Sequence, residues 1–353
     1  KIFLLSRITI GADIAVTSVI LSRMKQVYPS AELVFIGSAK LRELYGGDPS
    51  IRIKEIKYAK TDSLIARLNV WLNLLALLQA EVMDLDSSDF CIIDPDSRLT
   101  QLGLFPLLPA KVEAQSYFYF PSRIYTKPDF SKLGELANAW LNDLFDAHIT
   151  DFPFLSLPLS QSHLGESLVR QFRATDCQPI FCLNFGYGGN QSKRVSETFE
   201  IRFSKLLAGK YKFFLDFGFT PDEKVQSERI IESIAALGKA ILYLNESNFH
   251  SLTPSAISQA DVIAWQGGIG SFAALISACD FYLGYDSSGQ HIAAAVGTPS
   301  LTLFLNSGGS KVFCDRWHPY GRGLNQIIVL QPDNPYTENQ ILELVTDALP
   351  TSL

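Results

Sequence analysis

The chain has little cysteine, no excess of basic residues and no long hydrophobic run. Its five cysteines, Cys91, Cys177, Cys182, Cys279 and Cys314, are odd in number and form no CxxC pair. Neither a disulfide framework nor a zinc site is expected, and a reducing cytoplasm suits such a chain. The 30 Lys and Arg are outweighed by 36 Asp and Glu, for a net charge of −6. A general nucleic-acid binder needs a basic surface to neutralise phosphates, so that class is set aside. Any anionic ligand must then be held by a few placed groups. The apolar run Ile2–Leu5 behind Lys1 is too short for a signal-peptide core. The most apolar later stretch, Val70–Leu78 with Asn73 inside it, falls well below the ~20 residues of a membrane span. It reads as part of a buried or amphipathic helix over about Ser63–Glu81, with a membrane-facing surface as the other reading.

What is present is a large core-forming composition, 47% hydrophobic over 353 residues, enough for about two domains. Short apolar runs alternate with helical patterns: KIFLL, a helix over Ile14–Val27, a strand over Glu32–Gly37, a helix near Ala39–Tyr45, a strand over Phe90–Asp94 and a helix over Lys132–Phe145. Pro153 and Pro158 mark Asp151–Ser160 as an extended connector. The alternation then restarts with strands over Pro179–Gly186, Lys212–Gly218, Ala240–Leu244, Phe281–Tyr285 and Ser300–Phe304, and helices between them. The expected class is α/β, with an N-terminal domain over 1–155, a C-terminal domain over 156–335, and a terminal helix in 336–353 that packs back on the N-terminal domain. Ligands of such sheets sit beyond the carboxyl ends of strands, so chemistry is sought in the loops there.

Four junctions carry glycine and functional side chains. Gly11-Ala12-Asp13 opens the first helix, and Asp13 is read either as its N-cap or as a functional carboxylate. Gly186–Arg194 is a Gly-rich loop whose amides and Lys193 suit a diphosphate; a loop of solvated basic residues is the plainer reading. In Gly218–Glu223, Thr220, Pro221 and Glu223 spell a capping box, while a carboxylate here also suits ribose hydroxyls. Asp286-Ser287-Ser288-Gly289-Gln290-His291 opens a small-residue helix whose amides and hydroxyls make an anion site, with His291 read equally as a packed or a functional histidine.

Taken in order, these loops resemble glycosyltransferase family 9, the lipopolysaccharide heptosyltransferases that use ADP-heptose. GADIAVTSVILSRMKQVYPSAELVFIG is similar to the family's Gly-Asp turn and its Tyr-Pro-x-Ala before the second strand. Ser192-Lys193-Arg194, the Gly218–Glu223 loop, ACDFYLGYDSSGQHIAAAVGTPSLTLF and Arg316–Gly321 continue the likeness. Three departures stand out: Ala12 between the glycine and the aspartate, Tyr285 for the usual Asn, and Ser288-Gly289-Gln290 for Gly-Pro-Met.

The resemblance implies a GT-B architecture of two Rossmann-like domains facing across a cleft, acceptor on the N-terminal side and nucleotide-sugar donor on the C-terminal side. It implies an inverting transfer, with Asp13 as general base, Lys193 with Ser287, Ser288 and Gly289 on the diphosphate, Glu223 on the ribose, and Asp286 and His291 shaping the diphosphate loop. The implied acceptor is a cell-envelope glycolipid or saccharide, and the implied location is the cytoplasm, with peripheral membrane contact through Val70–Leu78. No cofactor or metal is implied; the one Asp-x-Asp pattern, Asp94-Pro95-Asp96, falls in the acceptor half. A sugar-nucleotide epimerase and a nucleotide-sugar-binding protein without turnover are the rival readings.

Overall fold

Most of the apolar runs become strands that bury both faces, which leaves no room for alternation. In the computed structural model they assemble into two parallel sheets, described over residues 1–58, 63–173, 178–188, 190–305, 311–331 and 336–350. The chain divides into two units, Lys1–Pro158 and Leu159–Leu353, within the two-proline connector.

The first unit holds β1 (Ile2–Leu5), β2 (Leu33–Gly37), β3 (Ile51–Glu55), β4 (Cys91–Asp94) and β5 (Tyr117–Tyr119), all parallel, in the order β3-β2-β1-β4-β5. The crossover direction reverses between β1 and β4, which makes the space at their carboxyl ends the switch point where such sheets bind ligands. One face is covered by the helix Leu64–Val82, capped by Ser63, which sends Leu74 and Leu78 into a core of Phe3, Leu5, Val34, Ile36, Phe90 and Ile92. On the helix Ser18–Val27, the fully buried Arg23 donates through Nε to Asp151 Oδ2 at 2.6 Å and through its terminal nitrogens to Asn142 Oδ1 and the Ile149 carbonyl. A lone buried guanidinium would be costly, and this set of acceptors compensates it while pinning the start of the connector.

The second unit holds β6 (Ile180–Asn184), β7 (Lys212–Asp216), β8 (Ile241–Asn245), β9 (Val262–Gln266), β10 (Phe281–Tyr285), β11 (Ser300–Leu305) and β12 (Asn325–Leu330), again all parallel, in the order β12-β11-β10-β6-β7-β9-β8. Its switch point lies between β6 and β10. Strands β3, β5, β9 and β12 and the helix Leu159–Arg173 add to the elements read from sequence. The terminal helix Glu338–Asp347 is tied to the second unit: Ile341 and Val345 join its core and Glu338 accepts from Ser196. The helix's buried stripe is filled by the face of the second sheet next to the helix Glu197–Ala208.

Candidate functional site

Each switch point gathers the residues singled out by sequence. In the second unit the loop after β6 tightens into a turn at Gln191–Lys193, begun by Asn190, whose side chain accepts from Ser192 N. Gly188 takes a left-handed φ of +61°, while Gly189 lies outside the described residues. The turn delivers Lys193 to the end of β10, where its Nζ donates to Asp286 Oδ2 at 2.6 Å and to the Asp286 carbonyl at 3.0 Å. Gln290, one turn into the helix Ser288–Val296, donates to the other Asp286 oxygen at 2.7 Å. Burial raises the Asp286 carboxyl above its usual range, and Lys193 and Gln290 pull it back.

That helix starts without a side-chain cap from Ser287, which leaves its first amides without that partner, an arrangement that suits an anion. Gly289 is required there, since a Cβ would overlap the buried Tyr282 hydroxyl. Ser287, Ser288, Gly289 and Lys193 therefore converge on one place. His291 is buried against Trp317, ring centroids 5.9 Å apart, and burial with the Lys193 charge nearby holds its imidazole down to about 3. It stays neutral at physiological pH and adds no charge to the loop.

The Lys193 turn is gripped from behind. Arg194 makes a two-pronged bridge to the fully buried Glu200, at 2.8 and 2.6 Å, and Glu200 also accepts from Tyr285 Oη at 2.8 Å and from Gln226. The Tyr285 oxygen in turn accepts from Val195 N at 3.2 Å. Sequence marked Tyr285 only as a departure; it is the residue that fastens the loop.

Beyond β7, Thr220 and Glu223 form the expected capping box, Glu223 Oε2 accepting from Phe219 N at 3.1 Å and Thr220 N at 3.0 Å. Gly218, at φ +82°, lets the chain turn into it. Next to it Asp216 and Asn184 cap β7 and β6, with Asn184 Nδ2 donating to Asp216 Oδ2 at 2.7 Å. Burial, with the Glu223 charge adding to it, pushes Asp216 up to about 7. Neither Asp216 nor Asn184 was read from sequence, although both close a strand ahead of a glycine loop.

In the first unit Asp13 is neither a turn residue nor the N-cap, which is Thr9. It begins a π-helical stretch, Asp13–Thr17, inside one helical run over 10–27. π-turns inside α-helices concentrate at functional sites. The carboxylate lies 1% exposed beneath the β1 loop and accepts from Ser6 Oγ at 2.6 Å, Arg7 N at 2.7 Å and Thr17 Oγ1 at 3.2 Å. Burial outweighs these neutral donors and raises its pKa to about 6.

Around it stands a cluster that sequence reading missed. Arg7 Nη2 lies 3.7 Å from Asp96, which also meets Arg123 Nε at 3.3 Å and accepts from Tyr119 and Ser122, each at 2.9 Å. Asp96 holds a left-handed φ of +66° and Ile8, beside Arg7, one of +72°. Strained non-glycine backbone of this kind is kept where surroundings over-determine it, and it gathers at ligand sites. Asp94 accepts from Thr100, Tyr117 and Ser97 N. The carboxylates of the Asp-x-Asp pattern are thus spent on protein donors, and among the described residues no group of three His, Cys, Asp or Glu is arranged for a metal.

Residues 262–343 match the family model for glycosyltransferase family 9 (heptosyltransferase). Comparison with curated protein sequences gave no match. Among solved structures the chain resembles a glycosyl transferase family 9 protein from Veillonella parvula DSM 2008, at 12% identity and TM-score 0.61, over 99% of this chain and 90% of that one. It also resembles E. coli heptosyltransferase WaaC with ADP-2-deoxy-2-fluoro heptose, at 14% identity and TM-score 0.61, over 99% of each chain. A third likeness is to E. coli ADP-heptose lps heptosyltransferase II, at 14% identity and TM-score 0.58, over 98% of each. At these identities the structural likenesses speak for the fold, and the stretch from β9 to the terminal helix, with the Asp286–His291 loop inside it, carries the family match. The chain has the GT-B fold of these structures, and its residues 262–343 match the glycosyltransferase family 9 model.

Proposed function

We propose that the protein is an inverting transferase that moves a heptose-like sugar from an ADP-linked donor to a cell-envelope glycolipid or related saccharide. The observation that carries this reading is the convergence of Lys193 with the uncapped amides of Ser287–Gly289 at the β6–β10 switch point. A nucleoside diphosphate placed there meets a cation and oriented dipoles, which stabilise the charge that grows as it leaves. Lys193 exchanges its Asp286 partner for phosphate oxygen, while the Asp286–Gln290 bond keeps the loop in place. Glu223, already fixed by two backbone amides, offers its Oε1 toward Gly186 and the ribose side.

Asp13 supplies the base. With a pKa of about 6 it is ionised at neutral pH yet basic enough to accept the proton of an attacking hydroxyl. The acceptor oxygen displaces the Ser6 hydroxyl, passes its proton to Oδ2 and attacks the anomeric carbon as the C–O bond to the diphosphate breaks. Arg7 and Arg123, beside Asp96, give that side a cationic character suited to an anionic acceptor. A second reading, binding without turnover, draws on the near-complete burial of Asp13 among three donors.

Thermal shift across ADP-, UDP-, GDP- and dTDP-sugars tests the donor, since a preferred ligand stabilises by mass action. Stabilisation by ADP-heptose is expected; a response to UDP-sugars alone overturns the donor. The anomeric configuration of a product made with acceptor tests inversion, and donor consumption without acceptor would indicate an epimerase.

A further inference from the structure

The second unit holds a groove that the residues used above do not line. It lies between the helix Leu159–Arg173 and the segment that follows β8, and its volume of about 730 Å³ falls in the range of small-molecule sites. Its walls follow β8 and β9, and β7 separates these strands from β6 and β10, where Lys193 and Asp286 stand. The helix buries Gly165, Leu168, Val169 and Phe172. Beside that buried face Ser160, Leu164, Ser167 and Gln171, at i, i+4, i+7 and i+11, form a stripe about 16 Å long that makes one wall of the groove. Gln171 Nε2 donates to Ser167 Oγ at 3.0 Å, which ties the lower half of the stripe together.

The other wall is apolar, from Phe249, Leu252 and Pro254. Two polar groups between the walls have hydrogen-bonding capacity to spare. Glu246 accepts through one oxygen, Oε1, from Gly268 N at 2.8 Å and Ser271 Oγ at 2.5 Å, which fixes the carboxylate. Its Oε2 makes no hydrogen bond among the described residues. Gln161 lines the groove as well, yet its buried Oε1 has no donor and rests against Gly270, where a Cβ would fall 2.1 Å from it. A buried acceptor is normally paired, so this amide gains a partner by turning outward to a ligand.

We infer that this groove binds a neutral oligosaccharide, its hydroxyls paired with Glu246, Gln161 and the Ser167–Gln171 stripe and its C–H faces on Phe249, Leu252 and Pro254. A hydroxyl both donates and accepts, so it serves the Glu246 carboxylate and either end of the Gln161 amide. Among the described residues that line the groove there is no Lys or Arg, and Glu246 repels anions, so phosphates and nucleoside diphosphates are poorly matched. An extended peptide repeats every ~3.3 Å and is read by the backbone of a sheet edge. Side chains along a helix stripe stand ~5–6 Å apart and fit ring-sized units instead.

The test is a printed array of neutral oligosaccharides probed with the full chain, followed by NMR titration of the best binder. Binding of at least one neutral oligosaccharide, unchanged by salt, is expected. Gln161→Ala should weaken it about tenfold, as expected when a buried hydrogen-bonding partner is lost. Ser167→Trp, which fills the groove, should abolish it; should that variant fail to fold, Gln171→Ala takes its place with a loss of about fivefold. ADP affinity and circular dichroism should match the wild type in Gln161→Ala and Gln171→Ala. No binding anywhere on the array, equal affinity in wild type and Gln161→Ala, or displacement of the bound glycan by AMP would each overturn the inference, the last by making the groove part of a nucleotide site. Glycan binding is read without any donor, so failure of the proposed transfer and failure of this inference are told apart.

Discussion

The two switch points each bury a carboxylate beyond the strand ends, Asp286 directly after β10 and Asp13 in the helix after β1, and they treat it oppositely. Asp286 faces a cation and an amide, Lys193 and Gln290, so its charge is matched inside the protein. Asp13 faces two hydroxyls and one backbone amide, all neutral. Burial raises both; at Asp286 the Lys193 charge opposes it, while at Asp13 it carries the group to about 6. On the proposed reading the matched carboxylate serves as a clamp and the one held by neutral donors serves as the proton acceptor. The same residue type on the same architecture is thus assigned different work by its partners rather than by its place in a motif.

The sharpest way to break this contrast is Asp13→Asn, which keeps the shape and removes the basicity. Turnover should fall about 10²- to 10⁴-fold, the usual contribution of a general base. Donor affinity by calorimetry should stay within about twofold. A turnover loss below about tenfold would reduce Asp13 to the loop-holding role its hydrogen bonds also allow. Lys193→Ala comes next. Losing a charge-assisted contact is worth about 1.5–3 kcal/mol, so affinity for ADP should weaken about 10- to 100-fold. Asp286, stripped of its partner, should also cost some stability, visible as a lower Tm.

The pH profile sharpens the comparison further. A base must be unprotonated to act, and Asp13 titrates at about 6, so kcat should be flat above that pH and fall about tenfold per unit below it. In Asp13→Asn this limb should vanish. Asp216, pushed to about 7 in the donor loops, should register in donor KM rather than in kcat. The smallest effect belongs to Tyr285→Phe. It removes the acceptor of Val195 N and a donor to Glu200, about 1 kcal/mol in all, and should weaken nucleotide binding about fivefold while leaving the acid limb in place.

Strands buried on both faces announce themselves as unbroken apolar runs, so β1, β2, β6, β7, β10 and β11 were legible as residues alone. β9 was not, because Val262–Gln266 follows β8 after a short helix and two turns, and nothing local reveals that it inserts between β7 and β8. The helix Leu159–Arg173 hid behind the prolines of the connector, its apolar positions diluted by Ser, Gln and His. At the site, Lys193, Asp286 and the Ser287–Gly289 amides could be read because loop position implies the contact. The Arg7–Asp96–Arg123 cluster could not: its members are 89 and 27 residues apart (96 − 7 and 123 − 96), and pairing over such separations is set by sheet order. Asp13 was read at the right junction in the wrong local structure.

That local structure has a bearing on how the chain relates to its motif. Relative to a Gly-Asp opening, Gly11-Ala12-Asp13 carries one additional residue. A π-turn is what a helix does with one residue too many, and it lies immediately downstream at Asp13–Thr17. The surplus is absorbed before Val19, Ile20 and Met24 take up their core positions, so both the helix beyond and the carboxylate before it stay in register. Deleting Ala12 should therefore be tolerated, with the bulge relaxing to α-helix, whereas deleting a residue from 19–24 should rotate the core face by about 100°. The π-turn is thus expected to be the place where a residue can be gained or lost with the fold on either side kept, and length variation among related sequences should collect there.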